Sequence, residues 1–341
     1  MIIEFDGIIT DLQKMGGVSV YFSELLNRLI KENCFQMKYN SYSESLLLKN
    51  IEFSPNVSVK YQDKRILERY RRCPVESLDK IFHSTYYRLP DKRSRVVTTV
   101  HDFTYEKFVR GPALWVHRWQ KNKAIKNSDL VICVSHNTAS DLLRYSPISD
   151  EKIRIIHNGV SENYHPLPQR ATINNEVLFV GARAGYKNFD LAVRVIAGLP
   201  ELSLSVVGGG DFSERERRLL NELIPGRYKW LGRLSDAQLN VEYNRAYALL
   251  YPSSYEGFGI PVLEAMKAGC PVVAVNASSI PEVAGDAAFL TESVRSSEFI
   301  EGLKYVDLNR ESLKNRGFLQ ASKFSWNKCY QETLGVYKEL M

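Results

Sequence analysis

The stretch from residue 248 to residue 264 reads ALLYPSSYEGFGIPVLE, and its pattern decides the fold. It opens on a short apolar run over residues 248–252, passes through a polar turn, and reaches Pro261, a residue favoured at the first position of a helix. Continuous apolar strands that alternate with helices are typical of a parallel sheet covered on both faces. The stretch therefore predicts one strand–turn–helix unit of an α/β domain.

The same alternation recurs through the second half of the chain. We expect strands over residues 177–181, 202–208, 228–232 and 271–275, and helices over residues 188–199, 213–224, 236–246 and 261–268. In the less regular first half, the clearest strands are residues 96–100, 130–135 and 153–156. The alternation predicts two doubly wound parallel sheets in tandem. Ligands bind at the carboxyl ends of the strands in such sheets, so functional residues are expected there.

The length of 341 residues suits two domains. The natural break is the polar segment 158–175, which contains Gly159, Pro166 and Pro168 and lacks helical periodicity. We therefore assign residues 1–165 to an N-terminal domain and residues 166–322 to a C-terminal domain. Residues 323–341 form a terminal amphipathic helix.

Composition narrows the compartment and the partners. The N-terminus has no basic leader, and no apolar run reaches the ~20 residues that a membrane span requires. The five cysteines are scattered and form no C-x-x-C pair, as is typical of thiols in a reducing compartment. We thus expect a cytoplasmic protein. The formal net charge of +6 suits anionic partners without selecting among nucleotides, nucleic acid and membrane.

Two acids bracket a glycine-containing turn at the start of the helix near residue 261. The backbone amides of Phe258, Gly259 and Ile260 are expected at the helix N-terminus, where they can bind an anion. Glu256 and Glu264 lie on either side, and carboxylates beside a phosphate site are suited to binding sugar or ribose hydroxyls. The alternative is a helix start with two solvated acids.

Two cations follow the strand at residues 177–181. Arg183 and Lys187 lie in a glycine-containing turn, where fixed positive charge would stabilise a departing diphosphate. The alternative is a surface turn with solvated cations.

Two further features belong to the first half. His101 follows the strand 96–100 directly and can hydrogen-bond a sugar hydroxyl or a reacting oxygen, although a structural histidine is the more frequent case. Gly16 and Gly17 precede a helix and suit backbone contact with phosphate. Neither this pair nor Gly208-Gly209-Gly210 matches G-x-G-x-x-G, which disfavours a dinucleotide cofactor.

Taken together, these segments resemble glycosyltransferase family four, whose retaining enzymes have the GT-B fold of two Rossmann-like domains facing across a cleft. The resemblance covers nearly the whole chain. Its most specific element is the pair of glutamates, Glu256 and Glu264, separated by seven residues; Lys187-Asn188 and His101-Asp102 add to it. The segment 278–288, SSIPEVAGDAA, looks like bacterial O-antigen and capsule members.

The resemblance implies a catalytic set. Arg183 and Lys187 would bind the donor diphosphate, Glu256 would lie against the donor sugar, and His101 would contact that sugar from the opposite domain. In many relatives the arginine precedes the lysine by six residues, whereas Arg183 precedes Lys187 by four.

The resemblance also implies donor-binding roles. The amides of residues 258–260 would meet sugar and phosphate, and Glu264 would hold the ribose. Gly16 and Gly17 would close on the phosphates, and the backbone near Arg233 and Leu234 would seat the base. The domain 1–165 would then be the acceptor side, the domain 166–322 would bind the nucleotide sugar, and the terminal helix would cross back to the N-terminal domain.

These roles imply a retaining glycosyltransferase that uses a nucleotide-sugar donor, with mannose from GDP-mannose preferred. The acceptor would be a glycan or a lipid-linked oligosaccharide in O-antigen or capsule synthesis. The chain contains no D-x-D triplet, so we expect no metal and no cofactor. The alternatives are a nucleotide-sugar epimerase on the same fold and a catalytically silent nucleotide-sugar-binding partner protein. No recognised nucleic-acid module is present, so nucleic acid is not an expected partner.

Two basic stretches suggest peripheral contact with an anionic membrane at the inner face of the cell membrane. They contain Lys64, Arg65, Arg69, Arg71 and Arg72 in one stretch and Trp115, Arg118, Trp119, Lys121, Lys123 and Lys126 in the other. A solvated helix face with core tryptophans is the alternative.

Overall fold

The computed structural model describes residues 2–13, 16–32, 35–42, 55–76, 80–168, 172–183 and 185–341. The chain folds into two compact units. The first unit comprises residues 1–158 and 326–341, and the second comprises residues 159–325.

The strands and helices alternate along the chain. The strands are β1 (Ile2–Phe5), β2 (Gln36–Ser41), β3 (Val57–Tyr61), β4 (Ile81–Ser84), β5 (Arg95–Val100), β6 (Leu130–Cys133), β7 (Ile153–Ile155), β8 (Glu176–Val180), β9 (Ser203–Val207), β10 (Tyr228–Gly232), β11 (Ala248–Tyr251), β12 (Val272–Val275) and β13 (Phe289–Thr291). The helices are α1 (Ile9–Leu12), α2 (Gly17–Leu29), α3 (Thr104–Phe108), α4 (Pro112–Lys126), α5 (His136–Tyr145), α6 (Phe189–Ala197), α7 (Glu214–Leu223), α8 (Asp236–Arg245), α9 (Ile260–Ala268), α10 (Ile280–Ala284), α11 (Ser296–Ala321) and α12 (Trp326–Glu339). Short 3₁₀ turns occupy Glu68–Tyr70, Asp150–Lys152 and Gly185–Lys187.

Each unit is built on one parallel sheet. In the part of the chain that the structure describes, the first sheet has the strand order β3-β2-β1-β4-β5-β6-β7, and the second has the order β10-β9-β8-β11-β12-β13. Every pair of neighbouring strands is parallel. The prediction of two doubly wound, Rossmann-like parallel sheets is confirmed.

Apolar strands explain why the sheets are covered on both faces. Every residue of β6, β11 and β12 is buried, as expected for strands with helices on both sides. In the second unit, helices α6 and α11 pack against one another and form a core with β8, β9 and β12. Among the described residues, each helix is too short or too polar to span a bilayer.

A buried histidine links the terminal helix to the sheet of the first unit. His83, in β4, lies 2.6 Å through Nδ1 from the hydroxyl of Tyr337 in α12. Its Nε2 lies 2.9 Å from the hydroxyl of Thr99 in β5. Burial lowers the pKa of His83 to about 3, so the ring is neutral at physiological pH. Together with the packing of α12 against α2, these bonds join residues 326–341 to the first unit.

Candidate active site

The second sheet has a topological switch point between β8 and β11, where the strand order reverses. Loops that leave neighbouring strands at such a point diverge and form a crevice at their carboxyl ends. Lys187 follows β8 and Glu256 follows β11, and their Nζ and Oε1 atoms lie 2.5 Å apart. Both side chains are largely enclosed, with 12% and 13% of their surface exposed. The topology therefore brings these two predicted residues together as an ion pair.

Asn188 fixes the loop of Lys187 against the loop that follows β11. Its side-chain amide donates to the carbonyl of Pro252 at 2.8 Å and to the hydroxyl of Ser254 at 2.7 Å. The amide of Ser254 donates in turn to the carbonyl of Tyr186 at 2.8 Å. Asn188 has a φ of 53°, in the left-handed region that asparagine tolerates better than most residues. The dipeptide Lys187-Asn188 thus combines a charge with the residue that positions it.

Two serines hold the loop that carries Glu256. The amide of Glu256 donates to the hydroxyl of Ser278 at 2.9 Å. The hydroxyl of Ser279 donates to the carbonyls of Glu256 and Phe258, both at 2.9 Å. These bonds fix the backbone that enters α9.

Gly259 allows this backbone to turn tightly into the helix. Its φ is 103°, and a Cβ there would lie 2.8 Å from Cδ1 of Ile280. Helix α9 begins at Ile260, one residue before the predicted start at Pro261. Phe258, Gly259 and Ile260 therefore occupy the helix N-terminus, as the sequence predicts, where the helix dipole favours an anion.

Glu264 lies one turn into α9 among tyrosines. The hydroxyl of Tyr243 donates to its carboxylate at 3.1 Å, and Tyr164 lies beside it. Burial, with Asp236 adding like charge, raises the pKa of Glu264 to about 7 although part of its surface remains accessible. Glu264 is therefore a carboxyl whose charge changes near physiological pH.

Arg183 is bonded to protein groups on several sides. Its Nε donates to Glu216 at 2.8 Å, and Nη2 donates to the carbonyls of Gly210 and Asp211 at 2.7 and 2.9 Å. Its guanidinium also lies 5.0 Å from the ring centre of Phe212. Arg183 thus holds the Gly208–Asp211 loop against the start of α7, where Glu216 completes a capping box.

The segment predicted to seat a base leaves β10 beside that loop. The amide of Gly208 donates to the carbonyl of Gly232 at 2.7 Å. The indole of Trp230 donates to the carbonyl of Gly208 at 3.1 Å. Arg233 is exposed and Leu234 is half-buried, immediately before α8.

In the first unit, His101 follows β5 and lines a cavity of about 350 Å³. Its ring lies 5.0 Å from that of Tyr21, and burial lowers its pKa to about 4. Its Nε2 has no hydrogen-bond partner among the described residues. The cavity is lined by Ile9, Leu12, Gln13, Val18, Arg69, Thr85, Tyr86, Tyr87, Thr99, His101, Asp102, Tyr105 and His117. His101 is therefore a neutral imidazole at the wall of a ligand-sized cavity.

Gly16 and Gly17 lie at the start of α2, in the same unit. A Cβ on Gly16 would meet the side-chain amide of Gln13, whereas one on Gly17 would face open space. Gly17 is exposed at the first position of α2, and lack of space does not require glycine there.

The two basic stretches differ from expectation at Lys121, and Arg69 is half-buried against Tyr70 and Tyr86. Trp115 and Trp119 are exposed by 69% and 55%, so they are not core tryptophans. Lys121, however, is buried and paired with Glu106, so its inclusion in the basic surface was wrong. It lies on the inner side of α4 with His117.

Sequence reasoning missed the residues that position the site. They are Tyr164, Asn188, Tyr243, Ser254, Ser278 and Ser279. Asn188 was visible in the Lys187-Asn188 motif, but its role depends on a loop 64 residues away. The described residues contain no group of three or more His, Cys, Asp or Glu side chains placed to hold a metal ion.

Comparison with known proteins gives two family matches. Residues 161–317 match the family model "Glycosyl transferases group 1", and residues 65–164 match "Glycosyltransferase Family 4". The chain is 29% identical over 286 residues to O-antigen chain mannosyltransferase B of Escherichia coli, covering 77% of this chain and 75% of that protein. It is 26% identical over 236 residues to O-antigen chain mannosyltransferase RfbU of Salmonella typhimurium, covering 67% of this chain and 65% of that protein.

Among solved structures, the chain is similar to HepE of Anabaena in complex with UDP and glucose. The TM-score is 0.73 at 17% identity, and 99% of each chain is covered. At this identity the match indicates a shared fold.

Proposed function

The chain belongs to glycosyltransferase family four with the GT-B fold, and from this premise we propose that it transfers mannose from GDP-mannose with retention of configuration. The acceptor is a glycan or a lipid-linked oligosaccharide of O-antigen or capsule synthesis. The observation that carries the proposal is the Lys187–Glu256 pair at the switch point of the second sheet. It combines a fixed cation and a carboxylate beside a helix N-terminus.

The contacts of Lys187 support a role at the leaving group. As the bond from the anomeric carbon to phosphate breaks, negative charge develops on the diphosphate. A positioned cation and the amides at the start of α9 stabilise that charge without reorganising. Because Asn188 and the 3₁₀ turn fix Lys187, the cation is in place before the reaction.

Glu256 has a different role in this proposal. It lies against the sugar hydroxyls and does not attack the anomeric carbon. The acceptor oxygen forms its bond on the face from which the diphosphate leaves, and the acceptor proton passes to the departing phosphate oxygen. Charge balance then requires no metal, so turnover should persist in excess EDTA.

Two mannosyltransferase relatives support mannose as the transferred sugar. Glu264 lies one turn into α9 beside Tyr243. Once it is ionised, its carboxylate is suited to accept hydrogen bonds from ribose hydroxyls. The segment at Arg233 and Leu234, of which Arg233 is exposed, is proposed to seat the guanine.

We also propose that the outer face of α4 binds an anionic bilayer surface. Trp115 and Trp119 project from it, and the ammonium group of Lys123 lies 4.7 Å from the ring centre of Trp119. Helix α4 contains no acidic residue. Its Gln120 donates to the carbonyl of Arg69 at 2.6 Å, which places the two basic stretches side by side. Aromatic rings with surrounding cations are suited to the interface of anionic lipids.

The test is incubation of the purified protein with GDP-mannose, UDP-glucose, dTDP-glucose and ADP-glucose, with a mannoside acceptor. We expect GDP release and an α-linked product by NMR, which is retention from the α-configured donor. A new nucleotide sugar without diphosphate release would instead indicate an epimerase. Binding without turnover of any donor would indicate a silent partner protein, and an inverted product would contradict the proposed mechanism.

A further inference from the structure

Helix α4 carries polar residues on its buried side. Trp115 and Trp119 face outward, whereas His117, Gln120 and Lys121 are buried together with Ala124 and Ile125. Burying histidine and lysine costs free energy unless they are paired or hydrogen-bonded. A buried polar face therefore requires either internal partners or a ligand.

Lys121 has internal partners. Its ammonium group donates to the carbonyl of Asp102 at 2.5 Å and to Oε2 of Glu106 at 3.3 Å. It also lies 3.5 Å from the ring centre of Phe103. Lys121 thus fixes the segment 101–106 from the buried side of α4. That segment contributes His101, Asp102 and Tyr105 to the cavity.

His117 lies in an aromatic environment at the cavity wall. Its ring stacks on Tyr105 with centres 4.0 Å apart and planes 15° apart, and the ring of Tyr86 lies 6.2 Å away. Burial, with the charge of Lys121, lowers the pKa of His117 to about 4, so the ring is neutral. Its Nδ1 lies 4.0 Å from Oε1 of Glu106, and within the described structure neither atom has a hydrogen-bond partner.

Arg69 forms another part of the wall. Its guanidinium lies 5.0 Å from the ring centre of Tyr86 and 4.9 Å from that of Tyr70. Its Nε lacks a hydrogen-bond partner among the residues described. A buried donor without a partner is costly, and this one borders the cavity that His101 also lines.

We propose that Arg69, Tyr86, Tyr105 and His117 form the subsite for the acceptor sugar. Flat aromatic surfaces pack against the C–H face of a pyranose, while hydroxyls of tyrosine and donors of arginine and neutral histidine bind its oxygens. A cavity of about 350 Å³ is within the range of ligand pockets. Arg69 and Asp102 contribute opposite charges to this wall, the histidines are neutral, and Lys121 is paired, so a neutral glycan unit fits. The proposal rests on the proposed function, because it requires a glycosyl acceptor.

The experiment uses the full chain and saturation-transfer-difference NMR with the methyl α-glycosides of mannose, glucose, galactose and N-acetylglucosamine. Spectra are recorded with and without saturating GDP. The variants are Tyr105→Ala and Arg69→Gln, and Tyr61→Phe is the control because Tyr61 is an exposed tyrosine of the same unit outside the cavity. Circular dichroism and thermal melts confirm that each variant folds.

We expect saturation transfer to at least one glycoside, and the transfer should persist when GDP is present. Tyr105→Ala and Arg69→Gln should each weaken the transfer at least fivefold, whereas the control variant should leave it unchanged. If Tyr105→Ala fails to fold, the same reduction in Arg69→Gln decides the result. No transfer to any of the four glycosides, displacement of the glycoside by GDP, or undiminished transfer in the folded variants would each overturn the subsite.

This outcome is separable from failure of the proposed function. If the chain does not use nucleotide sugars, GDP produces no thermal shift and GDP-mannose no turnover, whatever the glycosides do. If only the subsite is wrong, GDP binds and donor turnover continues, while the variants bind the glycosides as the native chain does.

Discussion

Replacing Asn188 by Ala removes the side chain that joins the loops of Lys187 and Glu256. The change deletes the hydrogen bonds to Pro252 and Ser254 and places alanine at a φ of 53°. Each lost bond costs about 1 kcal/mol, and the left-handed conformation adds about 1 kcal/mol for a residue with a Cβ. The total is about 3 kcal/mol.

The matched variant Asn188→Gly separates the two contributions. Glycine adopts this φ without penalty, so only the hydrogen bonds are lost, at about 2 kcal/mol. For a unit the size of residues 159–325, 1 kcal/mol corresponds to roughly 2–4 °C in the melting temperature. We therefore expect decreases of about 6–12 °C for Asn188→Ala and about 4–8 °C for Asn188→Gly.

Differential scanning calorimetry measures both decreases in melting temperature. The relevant unfolding transition is the one whose midpoint rises when GDP is added. Turnover of GDP-mannose should fall about 100-fold in both variants, because Lys187 is no longer held in place. Asn309→Ala is the control, since the side chain of Asn309 bonds to Tyr305 within α11. A melting temperature of Asn188→Ala within about 2 °C of the native value, with full turnover, would show that Asn188 does not position Lys187.

Three further predictions concern the titration of Glu264, the ion pair between Arg183 and Glu216, and binding to a membrane. Because the folded chain raises the pKa of Glu264 to about 7 from 4.5, the stability this group contributes is present below about pH 4.5 and lost as the pH rises through about 7. The melting temperature of Glu264→Gln, relative to that of the native chain, should therefore rise from pH 5 to pH 8. A difference in melting temperature that does not change with pH would contradict this. If Arg183 acts by holding the loop through Glu216, then Arg183→Ala and Glu216→Ala should each lower turnover. The turnover of the double variant should then equal that of Arg183→Ala. Additive losses of turnover would instead favour direct contact between Arg183 and the diphosphate. Replacing Trp115 and Trp119 by Ala should reduce co-sedimentation with phosphatidylglycerol vesicles at least tenfold, with GDP binding unchanged, and equal sedimentation would remove the membrane face.

The second unit follows closely from sequence because its strands are uniformly apolar. Runs such as 248–252 and 271–275 are buried on both faces, so no other element fits them. The first unit was harder to read. Strands β2 and β3 contain polar and exposed residues, with Lys38 and Lys60 among them, and neither was predicted.

The charged residues of the site were predictable from the sequence, whereas the residues that position them were not. Lys187 and Glu256 were found because their motifs lie at strand ends. Ser279 and Tyr243 were not, since their contacts depend on tertiary packing that local spacing does not encode. The inward direction of Lys121 was missed for a related reason: a lysine in a basic helix is usually solvated, and here Glu106 of the neighbouring helix pairs with it.

The role of Lys187 is tested most sharply by the rate of GDP release from GDP-mannose in Lys187→Ala, measured beside the affinity of the same variant for GDP. Lys187 is proposed to stabilise the charge that develops as the diphosphate departs. We therefore expect a loss of about 100- to 1000-fold in the rate, with the dissociation constant for GDP changed less than about tenfold and the fold intact. Turnover within a few-fold of the native rate would contradict the claim that this cation, paired with Glu256 at the switch point, drives the reaction.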